Sequence, residues 1–246
     1  MIPKTIHLVY WNFTDAFKMP PNKYLHNRAK IQELHPDFQF NYWNKQSCLD
    51  LVRTLDSSFF EIYEKCDDNV QYQYIKIFIL YSCGGVNIDM DVELYHNLEP
   101  LLSEQLADCD LILFAKDDCD NAIQISDSCM CSSLKNPHLG KFLETTKDRL
   151  SKGESTINLN ILSQNNEALP FGGIDHNNRN FIRQISKEYT KDGVIVLPPK
   201  AMLGMNTINK GCLFGTHTPI MSWQMHPTSY RSDYTRDCNC FPVRIC

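Results

Sequence analysis

The pattern of apolar and polar positions predicts strands and helices in alternation along the start of the chain. Residues 5–11 (TIHLVYW) are β-branched and aromatic, which is typical of a buried strand, and residues 22–35 carry apolar side chains at helical spacing. Residues 38–43 (FQFNYW) alternate apolar and polar side chains and predict a second strand. A strand, a helix and a strand in this order favour a parallel sheet with a crossover helix.

The next part of the pattern predicts a helix that ends on a glycine doublet. We expect Asp68 to cap this helix with Gln71 in a capping box, and Gly84-Gly85 to end it. Further strands are predicted at residues 86–94, 110–115 and 122–126, and amphipathic helices at 138–150 and 178–190. The fold class predicted from this alternation is α/β.

Length, composition and charge restrict the classes of protein to which the chain can belong. Its 246 residues are 43% hydrophobic, and no repeat or linker interrupts them, so we expect a single domain over residues 1–246. The net charge of −5 and the lack of a basic run argue against nucleic-acid binding. The longest apolar stretch, residues 75–83, contains Lys76 and is too short to span a membrane. No signal peptide is recognisable, so we expect a cytoplasmic location.

Eleven cysteines occur without a repeating spacing, which indicates reduced thiols. Cys238, Cys240 and Cys246 lie near His226 in the sequence, but a C-x-C pair does not match the usual zinc spacing.

The sequence contains three D-x-D triplets, which begin at Asp89, Asp108 and Asp118. Asp108 precedes a predicted strand and Asp118 lies in an acidic loop, so we interpret both as solvated surface residues. Asp89-Met90-Asp91 instead follows an apolar strand, where its carboxylates face the crevice in which open α/β sheets bind ligands. Neighbouring carboxylates repel each other unless a cation lies between them, and hard oxygen ligands favour Mn²⁺ or Mg²⁺. The diphosphate oxygens of a nucleotide are natural further ligands for such a metal ion.

The segment 75–94 (IKIFILYSCGGVNIDMDVEL) resembles the D-x-D region of glycosyltransferase family 32 and of the related glucosylating toxin domains. The resemblance extends to residues 2–7 (IPKTIH), to His35-Pro36-Asp37 through Trp43, and to residues 131–139. It also includes His217 with Ser222-Trp223 near the end. It implies a GT-A fold, which is a Rossmann-like, mixed and mostly parallel sheet flanked by helices. The implied activity is metal-dependent transfer of a hexose from a UDP- or GDP-sugar to a glycan, lipid or protein acceptor, with retention of anomeric configuration.

The resemblance also assigns roles to individual residues. Asp89 and Asp91 correspond to the catalytic pair that binds Mn²⁺ or Mg²⁺, and His217 to a further metal ligand, for which His226 is a rival. Gly85, in the doublet before the strand, is grouped with the residues that form the donor site. Tyr10 and Trp11 are implied to contact the nucleobase, and Ser222 and Trp223 the phosphates. Asp127 falls near a position where the family often has an Asn that faces the donor. Tyr10 and Trp11 are equally well explained as core aromatics at a strand end.

Two positions depart from the family pattern. The helix before Gly-Gly usually carries an Asp and, three residues later, an Arg that contact the donor, whereas this chain has Gln73 and Lys76. Lys76 keeps the positive charge but loses the guanidinium fork, and Gln73 keeps hydrogen bonding without charge. The two residues either face the donor or form the polar stripe of an amphipathic helix.

Two further hypotheses use the same residues. One is a metal-dependent phosphoesterase or nucleotidyl enzyme, and the other is a nucleotide-sugar or carbohydrate-binding domain without turnover. For a glycosyltransferase we expect residues 211–246 to form a lid over the donor, because closure excludes water from a reactive sugar.

Overall fold

The structure is a computed structural model and describes residues 1–11, 20, 22–116, 124–154, 158–163, 189–197 and 215–217. The helices that it contains are α1 (Asn22–Leu34), α2 (Lys45–Leu55), α3 (Ser57–Tyr63), α4 (Asp68–Cys83) and α5 (Pro137–Ser151). A π-helical turn (Leu101–Gln105) and a 3-10 turn (Leu159–Ser163) accompany them. None of the helices in these residues combines the length and the apolar character that crossing a bilayer requires.

The strands form one large sheet and one small one. They are β1 (Thr5–Tyr10), β2 (Gln39–Asn44), β3 (Gly85–Ile88), β4 (Val92–Leu94), β5 (Leu111–Lys116), β6 (Gln124–Ser132), β7 (Val194–Leu197) and β8 (Gly215–His217). The large sheet has the order β2-β1-β3-β6-β5-β7, in which only β6 runs antiparallel to its neighbours. The prediction of an α/β fold with a mixed, mostly parallel sheet is confirmed.

Apolar side chains cover both faces of the large sheet. On one face, Ile6, Leu8 and Val86 pack against α1 and the segment after β4. On the other face, helices α2 to α5 cover residues that include Val9 and Met130. Helix α4 is central on this face, where it contacts β3, β6, α2 and α5. Nearly all of its apolar side chains are buried.

Some predicted boundaries and caps were wrong. The N-cap of α4 is Asp67, whose side chain accepts a hydrogen bond from the Val70 N–H, and not Asp68. Gln71 does not complete a capping box, because its amide donates to the carbonyls of Tyr63, Glu64 and Cys66 at the end of α3.

The single strand predicted at residues 86–94 is divided into β3 and β4, because the D-M-D triplet turns the chain between them. The predicted helix at 178–190 lies almost wholly outside the described residues.

The glycine doublet lets α4 end directly beside β1. Gly84 and Gly85 have φ angles of 64° and 92°, a region that residues with a Cβ rarely adopt. A Cβ on Gly85 would also lie 2.5 Å from the carbonyl oxygen of Thr5. The predicted helix stop at this doublet is therefore confirmed, and the doublet determines where β3 enters the sheet.

Candidate functional site

The D-M-D triplet forms a turn that backbone and side-chain hydrogen bonds hold from three sides. The N–H of Asp89 donates to the carbonyl of Ser128 on β6 at 2.8 Å, and the N–H of Val92 donates to the carbonyl of Asp89 at 3.0 Å. From α1, the buried amide of Asn27 donates to the carbonyl of Met90 at 3.0 Å. The turn therefore has a fixed position at the carboxyl end of β3, as the sequence predicts for this triplet.

Lys76 is the direct partner of the first aspartate. Its ammonium nitrogen lies 2.7 Å from Oδ1 and 2.9 Å from Oδ2 of Asp89, and 3.0 Å from Oδ2 of Asp127. The Lys76 side chain is 0% exposed, which rules out the alternative that it belongs to a solvated polar stripe. The lysine joins the end of β3 to β6.

Lys76, Asp89, Asp91 and Asp127 form a charged cluster in which the negative charges outnumber the positive one. The pKa of Asp89 is raised to about 6, chiefly by burial; Lys76 opposes this shift, and the charges of Asp127 and Asp91 add to it. Burial alone would lower the pKa of Lys76, but the Asp127 and Asp89 carboxylates outweigh burial and raise it above the ordinary value, so the ammonium persists. One ammonium faces several carboxylates, and a further cation would stabilise the cluster.

Tyr72 is a member of this cluster that sequence reasoning missed. Its hydroxyl donates to Oδ1 of Asp89 at 3.1 Å, and the Lys76 ammonium lies 4.4 Å from the centre of its ring. Burial, followed by the charges of nearby carboxylates, raises the pKa of this phenol well above its ordinary value, so it remains a donor. The sequence contained one signal for this contact: Tyr72 and Lys76 are four residues apart on one helix and therefore lie on the same face.

Gln73 and Asp127 line a cavity of about 250 Å³ next to the ion pair. The other residues around it are Gln124, Ile125, Asn158, Leu159 and Asn160. Asp127 thus contacts Lys76 on one side and the cavity on the other, and the rest of the polar lining consists of amides. Amide and carboxylate groups together can donate to and accept from hydroxyl groups.

Tyr10 and Trp11 lie at the end of β1, on the same edge of the sheet as the triplet. Tyr10 packs edge-on against Tyr24 on α1, with ring centres 6.4 Å apart. Trp11 is buried and packs edge-on against Tyr72 at 6.1 Å, and its indole N–H has no partner among the residues that the structure describes. The packing of the two rings agrees with their interpretation as core aromatics, and the indole N–H, for which the described residues offer no partner, leaves a contact with the nucleobase open as the alternative.

The remaining predicted residues are placed differently. Gly85 lies at the start of β3, against Thr5 and His7 and at the opposite end of the strand from Asp89, a position that gives no support to donor binding. The backbone of His217 pairs with Val92, directly after Asp91. Ser222 and Trp223, together with most of the predicted lid at 211–246 and the cysteines near His226, lie outside the described residues.

The two other D-x-D triplets take no part in this cluster as far as the structure describes them. Asp108 is exposed, in line with its interpretation as a surface residue, and the Asp110 side chain is 52% exposed. Asp118 and Asp120 lie outside the described residues.

A divalent cation suits the donor set at the triplet. Among the residues with described structure, no group of three or more His, Cys, Asp or Glu side chains could hold a metal ion by itself. Mg²⁺ and related ions are often held by one or two carboxylates together with substrate phosphates, so Asp89 and Asp91 fit a metal that binds with a diphosphate.

The region around the triplet is similar to a known protein family. Residues 21–108 match the family model described as a glycosyltransferase sugar-binding region containing a DXD motif. The resemblance seen in the sequence is thereby confirmed over residues 21–108.

Two yeast proteins are similar to part of this chain. Inositol phosphoceramide mannosyltransferase 3 of Schizosaccharomyces pombe is 30% identical over 102 residues, which is 41% of this chain and 27% of that protein. Mannosyl phosphorylinositol ceramide synthase SUR1 of Saccharomyces cerevisiae is 29% identical over 104 residues, or 42% of this chain and 26% of that protein. The matches thus span about a quarter of the length of these relatives.

Among solved structures, PaToxG glycosyltransferase superposes with a TM-score of 0.46 at 12% identity, covering 66% of this chain and 68% of that one.

Proposed function

We propose that this chain, whose residues 21–108 match the DXD glycosyltransferase region, transfers a hexose from a nucleotide sugar to an acceptor with the help of Mn²⁺ or Mg²⁺. The observation that carries the proposal is the position of Asp89. It lies at the carboxyl end of β3, two residues from Asp91, with Lys76 and Tyr72 bound to its carboxylate. This arrangement places negative charge at the sheet edge where α/β folds bind ligands.

The chain's own residues account for the chemistry of the donor. Departure of a nucleoside diphosphate from the sugar places negative charge on the phosphate. A divalent cation held by Asp89 and Asp91 would act as a Lewis acid toward that phosphate. Lys76 adds a permanent positive charge beside Asp89, and the amides with Asp127 in the neighbouring cavity hydrogen-bond sugar hydroxyls.

The nucleotide and the third metal ligand are assigned within the same proposal. Tyr10 and Trp11, at the end of β1, are the aromatics assigned to the nucleobase, and Tyr10, which is only partly buried, is the one with ring surface to offer. Ser222 and Trp223 would donate to phosphate oxygens, and His217 would be a metal ligand beside the two aspartates. The pairing of β8 with β4 supports the last assignment, because it brings residue 217 next to the triplet.

The pairing of β8 with β4 also supports the proposed lid at residues 211–246. Strand β8 pairs from Gly215 opposite Leu94 to His217 opposite Val92, the first residue after the triplet. Limited proteolysis tests the lid: cleavage between residues 218 and 246 should slow when Mn²⁺ and a nucleoside diphosphate are added. Cleavage at an unchanged rate would contradict closure.

The relatives suggest a donor and an acceptor. Because they are named as mannosyltransferases of inositol phosphoceramide, we propose mannose as the hexose, GDP as the nucleotide and an inositol phosphoceramide headgroup as the acceptor, with retention of configuration. Such a lipid places the reaction at a membrane surface, and the cytoplasmic location expected from the sequence stays a prediction.

Incubation of the chain with Mn²⁺, inositol phosphoceramide and one donor at a time tests the proposal. Mass spectrometry should detect a hexosylated lipid with GDP-mannose and less product with UDP-glucose or UDP-galactose. Product with a UDP-sugar alone would keep the activity and overturn the choice of donor. Absence of both transfer and donor hydrolysis would overturn the catalytic proposal.

A second candidate function is binding of a nucleotide sugar without transfer. The observation that favours it is the engagement of both Asp89 oxygens by Lys76, which competes with a metal for the same carboxylate. Calorimetric binding of GDP-mannose or a UDP-sugar with no turnover in the mass-spectrometric assay would distinguish this candidate from the first.

A further inference from the structure

Tyr72 makes contacts that the proposed function leaves unexplained. Its hydroxyl donates to Oδ1 of Asp89 at 3.1 Å, while its ring lies under the Lys76 ammonium at 4.4 Å. The same ring packs edge-on against Trp11, with centres 6.1 Å apart. One side chain therefore contacts the first aspartate of the triplet, the lysine that pairs with it, and the aromatic at the end of β1.

These contacts restrict the orientation of Asp89. A carboxylate bound only by Lys76 can rotate with the flexible lysine stem, whereas a phenol on a packed ring has few conformations. Because Trp11 and the ammonium hold the ring from two directions, the hydroxyl has a fixed position. Oδ1 of Asp89 then receives a hydrogen bond of fixed direction.

We propose that Tyr72 is a positioning residue that orients the Asp89 carboxylate toward a divalent cation. The proposal rests on the proposed function, because it assumes that Asp89 is a metal ligand. Loss of a side chain that hydrogen-bonds a metal ligand typically lowers metal affinity or activity by about 10-fold to 100-fold. Tyr72 would then set the affinity of the site for the cation without contacting the cation.

The matched control for Tyr72 lies on the same helix. Tyr74 is buried, and its hydroxyl forms a hydrogen bond with Thr146 on α5, away from the triplet. The substitutions Tyr72→Phe and Tyr74→Phe each remove one buried phenolic oxygen from α4. Their effects on stability should be similar, and their effects on the metal should differ.

Mn²⁺ binding provides the test and requires no catalytic activity. Mn²⁺ is titrated by electron paramagnetic resonance into the full chain and into both variants, each with the same fixed concentration of GDP, and thermal melting verifies the fold. Tyr72→Phe should weaken Mn²⁺ binding by about 10-fold or more, the usual loss for such partners, and Tyr74→Phe should bind like the unsubstituted chain. Equal Mn²⁺ affinities of the unsubstituted chain and both variants would overturn the role of Tyr72 but leave the metal site itself intact.

A second measurement works even if Tyr72→Phe fails to fold. Mn²⁺ binding changes the charge next to the Tyr72 hydroxyl, so it should produce a tyrosine ultraviolet difference spectrum in the unsubstituted chain and in Tyr74→Phe. Mn²⁺ binding without such a spectrum would overturn the proposal. Failure of the unsubstituted chain to bind Mn²⁺ with either GDP or UDP would overturn the metal site and the role of Tyr72 with it.

Discussion

Lys76 and Asp89 form a buried ion pair in which the ammonium lies within 2.9 Å of both carboxylate oxygens. Because the lysine is on α4 and the aspartate follows β3, the pair attaches the D-M-D turn to the helix that covers it. Removal of one partner from a buried ion pair is strongly destabilising, so the pair matters for folding and for the site alike.

Replacement of the lysine tests this dual role. Lys76→Met should lower the free energy of unfolding by about 3 kcal/mol, because Asp89 and Asp127 then repel each other without a counter-ion. Lys152→Met, which removes an exposed ion pair with Asp148, is the control, and its free energy of unfolding should be close to that of the unsubstituted chain. Urea unfolding measures both variants. Equal stability of the two variants would contradict the importance of the buried pair.

The proposed contact of Gln73, an exposed residue that lines the cavity, with the donor sugar leads to a prediction about specificity. Gln73→Asp adds a carboxylate to the cavity that already contains Asp127. The ratio of specificity constants among GDP-mannose, UDP-glucose and UDP-galactose should change by roughly 10-fold to 100-fold, because buried hydroxyl contacts are worth about 1–3 kcal/mol. Gln32→Asp, at an exposed position on α1, is the control. A ratio that stays the same in both variants would remove Gln73 from the donor site.

The glycine doublet provides a stability test. Gly85→Ala should cost about 3 kcal/mol, because it combines a positive φ with a Cβ only 2.5 Å from the Thr5 carbonyl oxygen. Gly153 also has a positive φ but no atom within 4 Å of an added Cβ, so Gly153→Ala should cost about 1 kcal/mol from backbone strain alone. Thermal or urea unfolding of the two variants measures the difference. A loss of stability for Gly85→Ala that is no larger than that for Gly153→Ala would contradict this prediction and show that β1 moves to accommodate the Cβ.

His7 predicts a pH dependence of stability. Its Nε2–H donates to the Gly84 carbonyl at 2.8 Å and its Nδ1 accepts from the Trp43 indole at 3.2 Å, so the ring is neutral. Burial lowers its pKa from 6.5 to about 4. Between these pH values the unfolded chain binds a proton that the folded chain does not, so stability decreases as the pH falls.

The size of this effect follows from the shift. The His7 contribution should be complete above pH 6.5 and decrease by about 3 kcal/mol toward pH 4, at 1.36 kcal/mol per unit. His7→Gln, which cannot titrate, should show a shallower decrease in urea unfolding over this range. Parallel pH profiles for the two proteins would contradict a buried neutral His7.

The sequence predicted the framework of the site well. Strands β1, β2 and β3 and the helix before the doublet all follow from local patterns, because apolar periodicity and glycine signals act over short distances, whereas the turn at Asp89 was predicted as continuous strand. Helices α2 and α3 were missed although Asn44 and Asp56 provide N-caps for them, and β7 was missed although its four residues are all β-branched or leucine.

The interior of the site could not be predicted in the same way. Whether Lys76 faces solvent or a carboxylate depends on which strand α4 covers, and helical periodicity contains no such information. The contact between Tyr72 and Asp89 spans 17 residues and exists only because β3 enters the sheet beneath α4. Asp127 joins the cluster because β6 pairs antiparallel with β3, a long-range pairing that local patterns do not encode.

The central claim is that Asp89 and Asp91 bind the donor through a divalent cation, and a thermal-shift measurement with GDP-mannose tests it most directly. With Mn²⁺ and donor at 100 times the dissociation constant, the unsubstituted chain should gain about 2.7 kcal/mol of stability. EDTA, Asp89→Asn or Asp91→Asn should each abolish this gain, whereas Asp108→Asn should retain it. A gain that persists in EDTA and in Asp91→Asn would contradict the claim.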